Sequence, residues 1–274
     1  MRLPPTPTRR ATRALAPLAG ALALSLASAA DAPGARTYAA AGVRALVVET
    51  SGGPIALTAS EDKAVSVEVA PGAGDGCVVA QDLRGGTLTL TARASSRGFF
   101  GAARPCSAGF AVSAPARVDV VARSGSGKVD LGAFAGKSDV RTGSGAIEVH
   151  GATGELALRS GGGTVSGDAG GQRRIDVETG SGGVDLRELT GAVSARSGGG
   201  FVSLLWAAAP PSGDVDVRTG SGDFTAILPA SARLLISFKS GSGKLSSDFV
   251  SDARAPLRLT FRSGSGSAEI KKEL

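Results

Sequence analysis

From about residue 115 onward the chain alternates apolar and polar residues in short runs, each broken by a small tetrapeptide of serine or threonine with glycine. The segment "VRTGSGAIEV" (140–149) is one unit, and "LRSGGGTVSG", "VETGSGGVDL", "ARSGGGFVSL", "VRTGSGDFTA", "FKSGSGKLSS" and "FRSGSGSAEI" repeat it. Alternation with a period of two predicts half-buried strands. The tetrapeptides begin at Ser124, Thr142, Ser160, Thr179, Ser197, Thr219, Ser240 and Ser263, with spacings of 18, 18, 19, 18, 22, 21 and 23 residues. An earlier copy starts at Thr50 ("VVETSGGPIAL"), and half of another stands in "RGGTLTL".

Two apolar columns frame the tetrapeptides. Two positions before each stand Ala122, Val140, Leu158, Val177, Ala195, Val217, Phe238 and Phe261. Five positions after each first residue stand Val129, Ile147, Val165, Val184, Val202, Phe224, Leu245 and Ala268. The columns lie seven residues apart, an odd number. Side chains of a strand alternate faces, so an uninterrupted strand cannot point both columns inward. The tetrapeptide is therefore a corner or bulge that reverses parity. Glycine serves such a corner by accepting positive φ and by letting backbone stack on backbone.

A unit of strand, glycine corner, strand and turn cannot bury its own apolar face, whereas stacked neighbours can. The expected fold is all-β: a β-solenoid or β-helix-like stack of strand–SGSG corner–strand repeats of 18–23 residues, occupying 116–274. A sandwich or barrel of hairpins is the alternative. Thr and Ser alternate at the first corner position through the sixth copy, which leaves open one or two repeats per coil. Residues 31–115 form an N-terminal β region expected to cap the stack. Two departures from the period are expected to be loops: "LLWAAAPPSGDV" (204–215), with Trp206, and "ARASSRGFFGAARPC" (92–106), with Phe99 and Phe100. The charged last strand, "AEIKKEL", suits a blunted open edge.

The first 30 residues carry Arg2, Arg9, Arg10 and Arg13 before an apolar run ending in small residues ("LASAADA"), the layout of a cleaved signal peptide. Export to the periplasm or the cell exterior follows, with no integral membrane span after cleavage. Without those four arginines, Lys+Arg falls from 30 to 26 against Asp+Glu 24, so net charge falls to about +2. The basic balance belongs to the leader and argues against a nucleic-acid partner. Cys77 and Cys106 are the only cysteines, and in an exported chain they are expected to form one disulfide.

The residue just before each tetrapeptide is Arg123, Arg141, Arg159, Glu178, Arg196, Arg218, Lys239 or Arg262. Stacked in register, these form a basic ladder, and it is the candidate binding site. Repulsion along it calls for carboxylates nearby, expected from two columns: Asp139, Asp176 and Asp216, and Asp130, Glu148, Asp185 and Glu269. Such a ladder serves either to keep a solenoid soluble and in register or to hold anionic glycans or headgroups through several weak contacts.

Enzyme signatures fail in specific ways. The phosphate-loop reading of "GKS" (136–138) lacks its glycine, since Leu131 stands there. No G-x-S-x-G elbow occurs, and His150 is the only histidine, which rules out multi-histidine zinc. Calcium nonapeptides need regularly placed Asp; "GSGKVDL" and "GSGGVDL" approximate this, but copies with Glu, Ser or Thr at that place break the pattern. No catalytic residue, cofactor or metal is assigned.

The segment "VRALVVETSGGPIALTASEDKAVSVEV" (43–69), followed by serial V-x-x-(S/T)-G-S-G-x-(V/I)-x-(V/L) units, resembles the bacterial candidate-adhesin proteins of β-strand repeats, relatives of GIN-type adhesin head domains. The resemblance spans the chain beyond the leader and implies an exported, non-enzymatic protein of stacked strands. The expected function is a binding or adhesion module whose partner is an anionic envelope or extracellular glycan. The alternative is an accessory periplasmic protein that binds another envelope protein through its loops, with Phe99, Phe100 and Trp206 as contacts.

Overall fold

A computed structural model describes residues 35–70, 76–95, 106–170 and 174–273. The signal segment and the Phe99–Phe100 tip lie outside the described residues. No helix among the described residues is long and apolar enough to cross a membrane.

The leading strands are β1 (Ala35–Ala39), β2 (Ala45–Thr50), β3 (Ile55–Ser60), β4 (Ala64–Ala70), β5 (Cys77–Arg84), β6 (Thr87–Ala94) and β7 (Gly109–Pro115). Strand pairs then follow, one per repeat: β8 (Asp119–Ser124) with β9 (Val129–Leu131), and β10 (Ser138–Thr142) with β11 (Ile147–His150). Next come β12 (Leu156–Ser160) with β13 (Val165–Asp168), and β14 (Arg174–Thr179) with β15 (Val184–Leu189). They continue as β16 (Ala192–Ser197) with β17 (Val202–Trp206), and β18 (Gly213–Thr219) with β19 (Phe224–Leu228). The last are β20 (Leu234–Ser240) with β21 (Leu245–Ser247), and β22 (Leu257–Ser263) with β23 (Ala268–Lys272).

Each repeat is one coil. Its first strand joins an 11-stranded sheet, the glycine corner carries the chain across, and its second strand joins a 12-stranded sheet. Equivalent strands pair in parallel, with Val140 beside Ala122 and Leu158 in one sheet and Ile147 beside Val129 and Val165 in the other. The fold is thus the expected β-solenoid, with its core between two mainly parallel sheets. The parity argument holds: both apolar columns point inward, and all but Phe238 and Leu245 are buried.

The corners show why the repeat is spelled as it is. The leading hydroxyl is buried and accepts the N–H of the glycine three residues on, as in Gly145 N to Thr142 Oγ1 at 3.1 Å and Gly200 N to Ser197 Oγ at 2.8 Å. From Thr142 to Ser197 it also donates to a glycine carbonyl of the preceding coil, as in Ser160 to Gly145 at 3.0 Å and Ser197 to Gly182 at 3.1 Å. A buried hydroxyl is thereby fully used, which removes the cost of burying it. A Cβ on Gly145, Gly182 or Gly200 would overlap the carbonyl oxygen of the glycine stacked beneath it. Positive φ, expected from sequence, is not the reason, since none of these corner glycines has it. Close backbone approach is what demands glycine.

The two ends depart from sequential order. At the N-terminal end β6 and β7 flank β2 and β3 on the side away from β8 and β9, so "RGGTLTL" opens a coil of its own. Beyond it, β5 pairs antiparallel with β6, β4 with β7, and β1 with β4. Cys77 and Cys106 form the expected disulfide, tying the outermost strand of one sheet to the segment that enters the other. At the C-terminal end β22 lies between β18 and β20, and β23 between β19 and β21. The eighth repeat therefore sits inside the seventh. This corrects the expectation that "AEIKKEL" forms the open edge: β20 and β21 do.

Trp206 also departs from expectation. It is no loop residue but the inward-facing end of β17, fully buried, with its indole N–H donated to the Gly191 carbonyl at 3.1 Å. The proline-rich excursion begins only after it.

Candidate functional site

The residues preceding the corners fall on the outer face of the 11-stranded sheet, where parity leaves them exposed. Parallel register places Arg141 beside Arg123 and Arg159, Glu178 beside Arg159 and Arg196, Arg218 beside Arg196 and Arg262, and Lys239 beside Arg262. All seven predicted basic residues are thus brought into one row, interrupted by Glu178. Glu49 of β2 ends the row beyond Arg123, a member that the repeat alignment did not include.

Neutralisation along the row is uneven. Arg141 holds Asp139 in a two-pronged pair at 2.9 and 2.8 Å, and Arg218 holds Asp216 likewise at 3.1 and 2.8 Å. Asp176 takes Arg174 of its own strand at 2.8 Å. Arg159 lies between Asp139 and Glu178, at 3.6 and 3.7 Å. Glu49 accepts Arg123 at 3.0 Å and Arg93 at 2.7 Å, and these two hydrogen bonds hold its carboxyl below the ordinary range. The carboxylate partners likewise raise the pKa of Arg141 and Arg218. Arg196, Arg262 and Lys239, by contrast, are exposed and make no ion pair among the described residues.

The second column of expected carboxylates does not reach the ladder. Asp130, Glu148, Asp185 and Glu269 lie on the other sheet, because the corner intervenes. They have cations of their own: Lys128 joins Asp130 at 2.8 Å and Glu148 at 2.9 Å, Arg187 joins Asp185 at 3.0 Å, and Lys271 joins Glu269 at 3.0 Å. The two carboxylates around Lys128 raise its pKa. Asp130, Glu148 and His150 are close enough to share a cation, and the Lys128 ammonium already sits against the two carboxylates.

Shallow grooves of about 400 Å³ and 370 Å³ run beside the ladder, the first lined by Asp119, Lys137, Asp139, Glu155, Arg174 and Asp176, the second by Arg174, Ser194, Arg196, Asp214 and Asp216. The chemistry on offer is that of exposed guanidinium and ammonium groups at fixed spacing.

A family model for Toastrack DUF4097 matches residues 43–271, nearly the whole described stack. The chain belongs to this family. No curated protein matches it. Among solved structures, the Toastrack chain is similar to a candidate lipid-binding protein from Parabacteroides distasonis, at 15% identity and a TM-score of 0.49, over 88% of this chain and 96% of that one. It is also similar to a candidate adhesin from Bacteroides fragilis, at 14% identity and a TM-score of 0.47, over 87% and 96%. A candidate cell adhesion protein from Clostridium sporogenes matches at 12% identity and a TM-score of 0.32, over 87% and 98%. These likenesses say nothing of what this Toastrack chain binds.

Proposed function

We propose that this Toastrack protein is an exported, non-enzymatic binding module of the cell envelope that holds anionic glycans on its basic ladder. The observation that carries the reading is the in-register row of guanidinium and ammonium groups on one exposed sheet face. Each contact with a solvated anion is weak, but a rigid row engages many at once, so affinity accumulates through effective concentration. The disulfide supports an oxidising compartment, since such bonds persist outside the cytosol.

The test is binding of the chain lacking residues 1–30 to a panel of anionic and neutral envelope glycans at low and high salt. Binding confined to anionic members and weakened steeply by salt is the expected result, because exposed charges are screened within about 8–10 Å at physiological ionic strength. Equal binding to neutral members, or none at either salt, would overturn the reading.

A further inference from the structure

The ladder is one column in sequence but two surfaces in space, and the difference comes from the next outward column. Two residues before each ladder position stand Asp139, Ala157, Asp176, Ser194, Asp216, Thr260 and Ser237, in spatial order from β10 to β20. Where that position is Asp with Arg on the same strand, at Arg141 and Arg218, the carboxylate fills the guanidinium fork. Where it is Ser or Thr, beside Arg196, Arg262 and Lys239, the cation has no ionic partner among the described residues. Resting on the proposed glycan-binding role, the geometry points to a narrower site: Arg196, Arg262 and Lys239, toward the C-terminal end of the row, bind the carboxylates of a linear acidic polysaccharide laid across the strands.

Three features select that ligand. The fork geometry at Arg218 shows what these arginines accept, a planar carboxylate in two-pronged contact. Asp216 therefore stands in, within the protein itself, for the group a ligand would bring to Arg196 and Arg262. Lys239 and Arg262 occupy adjacent rungs about 4.8 Å apart, and Arg262 and Arg196 are two rungs, roughly 10 Å, apart. A linear polymer repeating its charge along its length reaches all three, and a single acidic sugar reaches one. Ser194, Thr260 and Ser237 add hydroxyls beside the open positions, where sugar hydroxyls need partners.

The opposite half of the row is built against such a ligand. Between Glu49 and Glu178 the three arginines Arg123, Arg141 and Arg159 meet Glu49, Asp139 and Glu178. A polyanion approaching there must displace carboxylates already in place.

The experiment compares two triple variants against galacturonate oligomers of graded length, by calorimetry at low salt. One is Arg196→Ser, Arg262→Ser, Lys239→Ser; the other is Arg123→Ser, Arg141→Ser, Arg159→Ser. Both remove three cations from the row, and thermal unfolding checks that both remain folded. The first is expected to lose about tenfold or more in affinity, the second much less, and the unaltered protein is expected to prefer tetramers and longer over the monomer. Equal losses in the two variants, or equal affinity for monomer and oligomer, would overturn the narrower site while leaving glycan binding standing. Failure of the unaltered protein to bind any acidic oligomer overturns both, as does binding to anionic phospholipid vesicles alone.

Discussion

The two ends of the stack solve one problem differently. A solenoid ends in strands whose outer edges lack a partner, and an unprotected edge recruits other chains. At the N-terminal end the chain turns back on itself, so β5 and β4 run against the parallel grain and a disulfide fastens the closure. The C-terminal end keeps the grain and changes the order, seating the last coil inside the one before it. There the outermost strand β20 is covered by part of the connection from β21 to β22: Ser251 Oγ accepts the Ile236 N–H at 3.0 Å, and the Asp252 N–H is donated to the Leu234 carbonyl at 2.8 Å. Cover remains partial, with Leu245 41% and Val250 90% exposed. Cross-linking secures one end, and enclosure of the final segment secures the other.

The contrast can be broken most directly by truncation. Removing residues 257–273 takes out an interior rung, leaving β18 and β19 without the neighbours they have in the intact chain. The expected result is loss of the cooperative transition at the C-terminal end in circular dichroism melts, whereas removing 35–39, an edge strand alone, lowers the midpoint by a few degrees. Replacing Cys77 and Cys106 by serine opens a closure of 29 residues' separation and is expected to cost about 3–4 kcal/mol on the chain-entropy model, read as a shift in urea midpoint. An effect below about 1 kcal/mol would show that antiparallel pairing suffices by itself.

Glycine substitutions report how firmly each coil is held. Gly182→Ala would drive a methyl into the Gly163 carbonyl in mid-stack, with coils on both sides. Gly243→Ala makes the same clash with Gly266, but in the outermost coil, which is free to move outward. Losses of about 3 and about 1 kcal/mol are expected, at the upper and lower ends of overpacking costs; equal losses would mean that the last coil is held as rigidly as the middle. The smallest effect concerns Glu49. Its carboxyl titrates lower when folded than when unfolded, so its contribution is present above the ordinary carboxylate value of 4.5 and is lost as pH falls through the folded value. Glu49→Gln should therefore flatten the acid limb of stability slightly, by tenths of a kcal/mol for so exposed a network. Urea midpoints at pH 6 and pH 3 measure it.

Much of this fold was legible because corners, columns and charges recur at fixed offsets from one another. The two exceptions to burial, Phe238 and Leu245, both belong to the seventh repeat, and the structure explains them by placing that repeat outermost. Order in space was not legible. Repeats seven and eight present the same columns, and nothing local to either says which neighbour it stacks upon. Trp206 was misassigned because nearby prolines signalled a loop, whereas tertiary packing extends β17 to include it. The ladder was legible as a column, but the division between its paired cations and the unpaired Arg196, Arg262 and Lys239 depended on fork geometry that only side-chain positions reveal.

Enclosure of the final coil has a consequence for how such a chain can change its length. Any rung between β8 and β19 meets near-identical neighbours above and below, so a duplicated repeat there can slot in and shift the remainder outward by one step. β23 differs from an outermost strand in having both of its flanks taken, by β19 and β21. The molecule is open to growth in its middle, whereas its last coil is enclosed between two others.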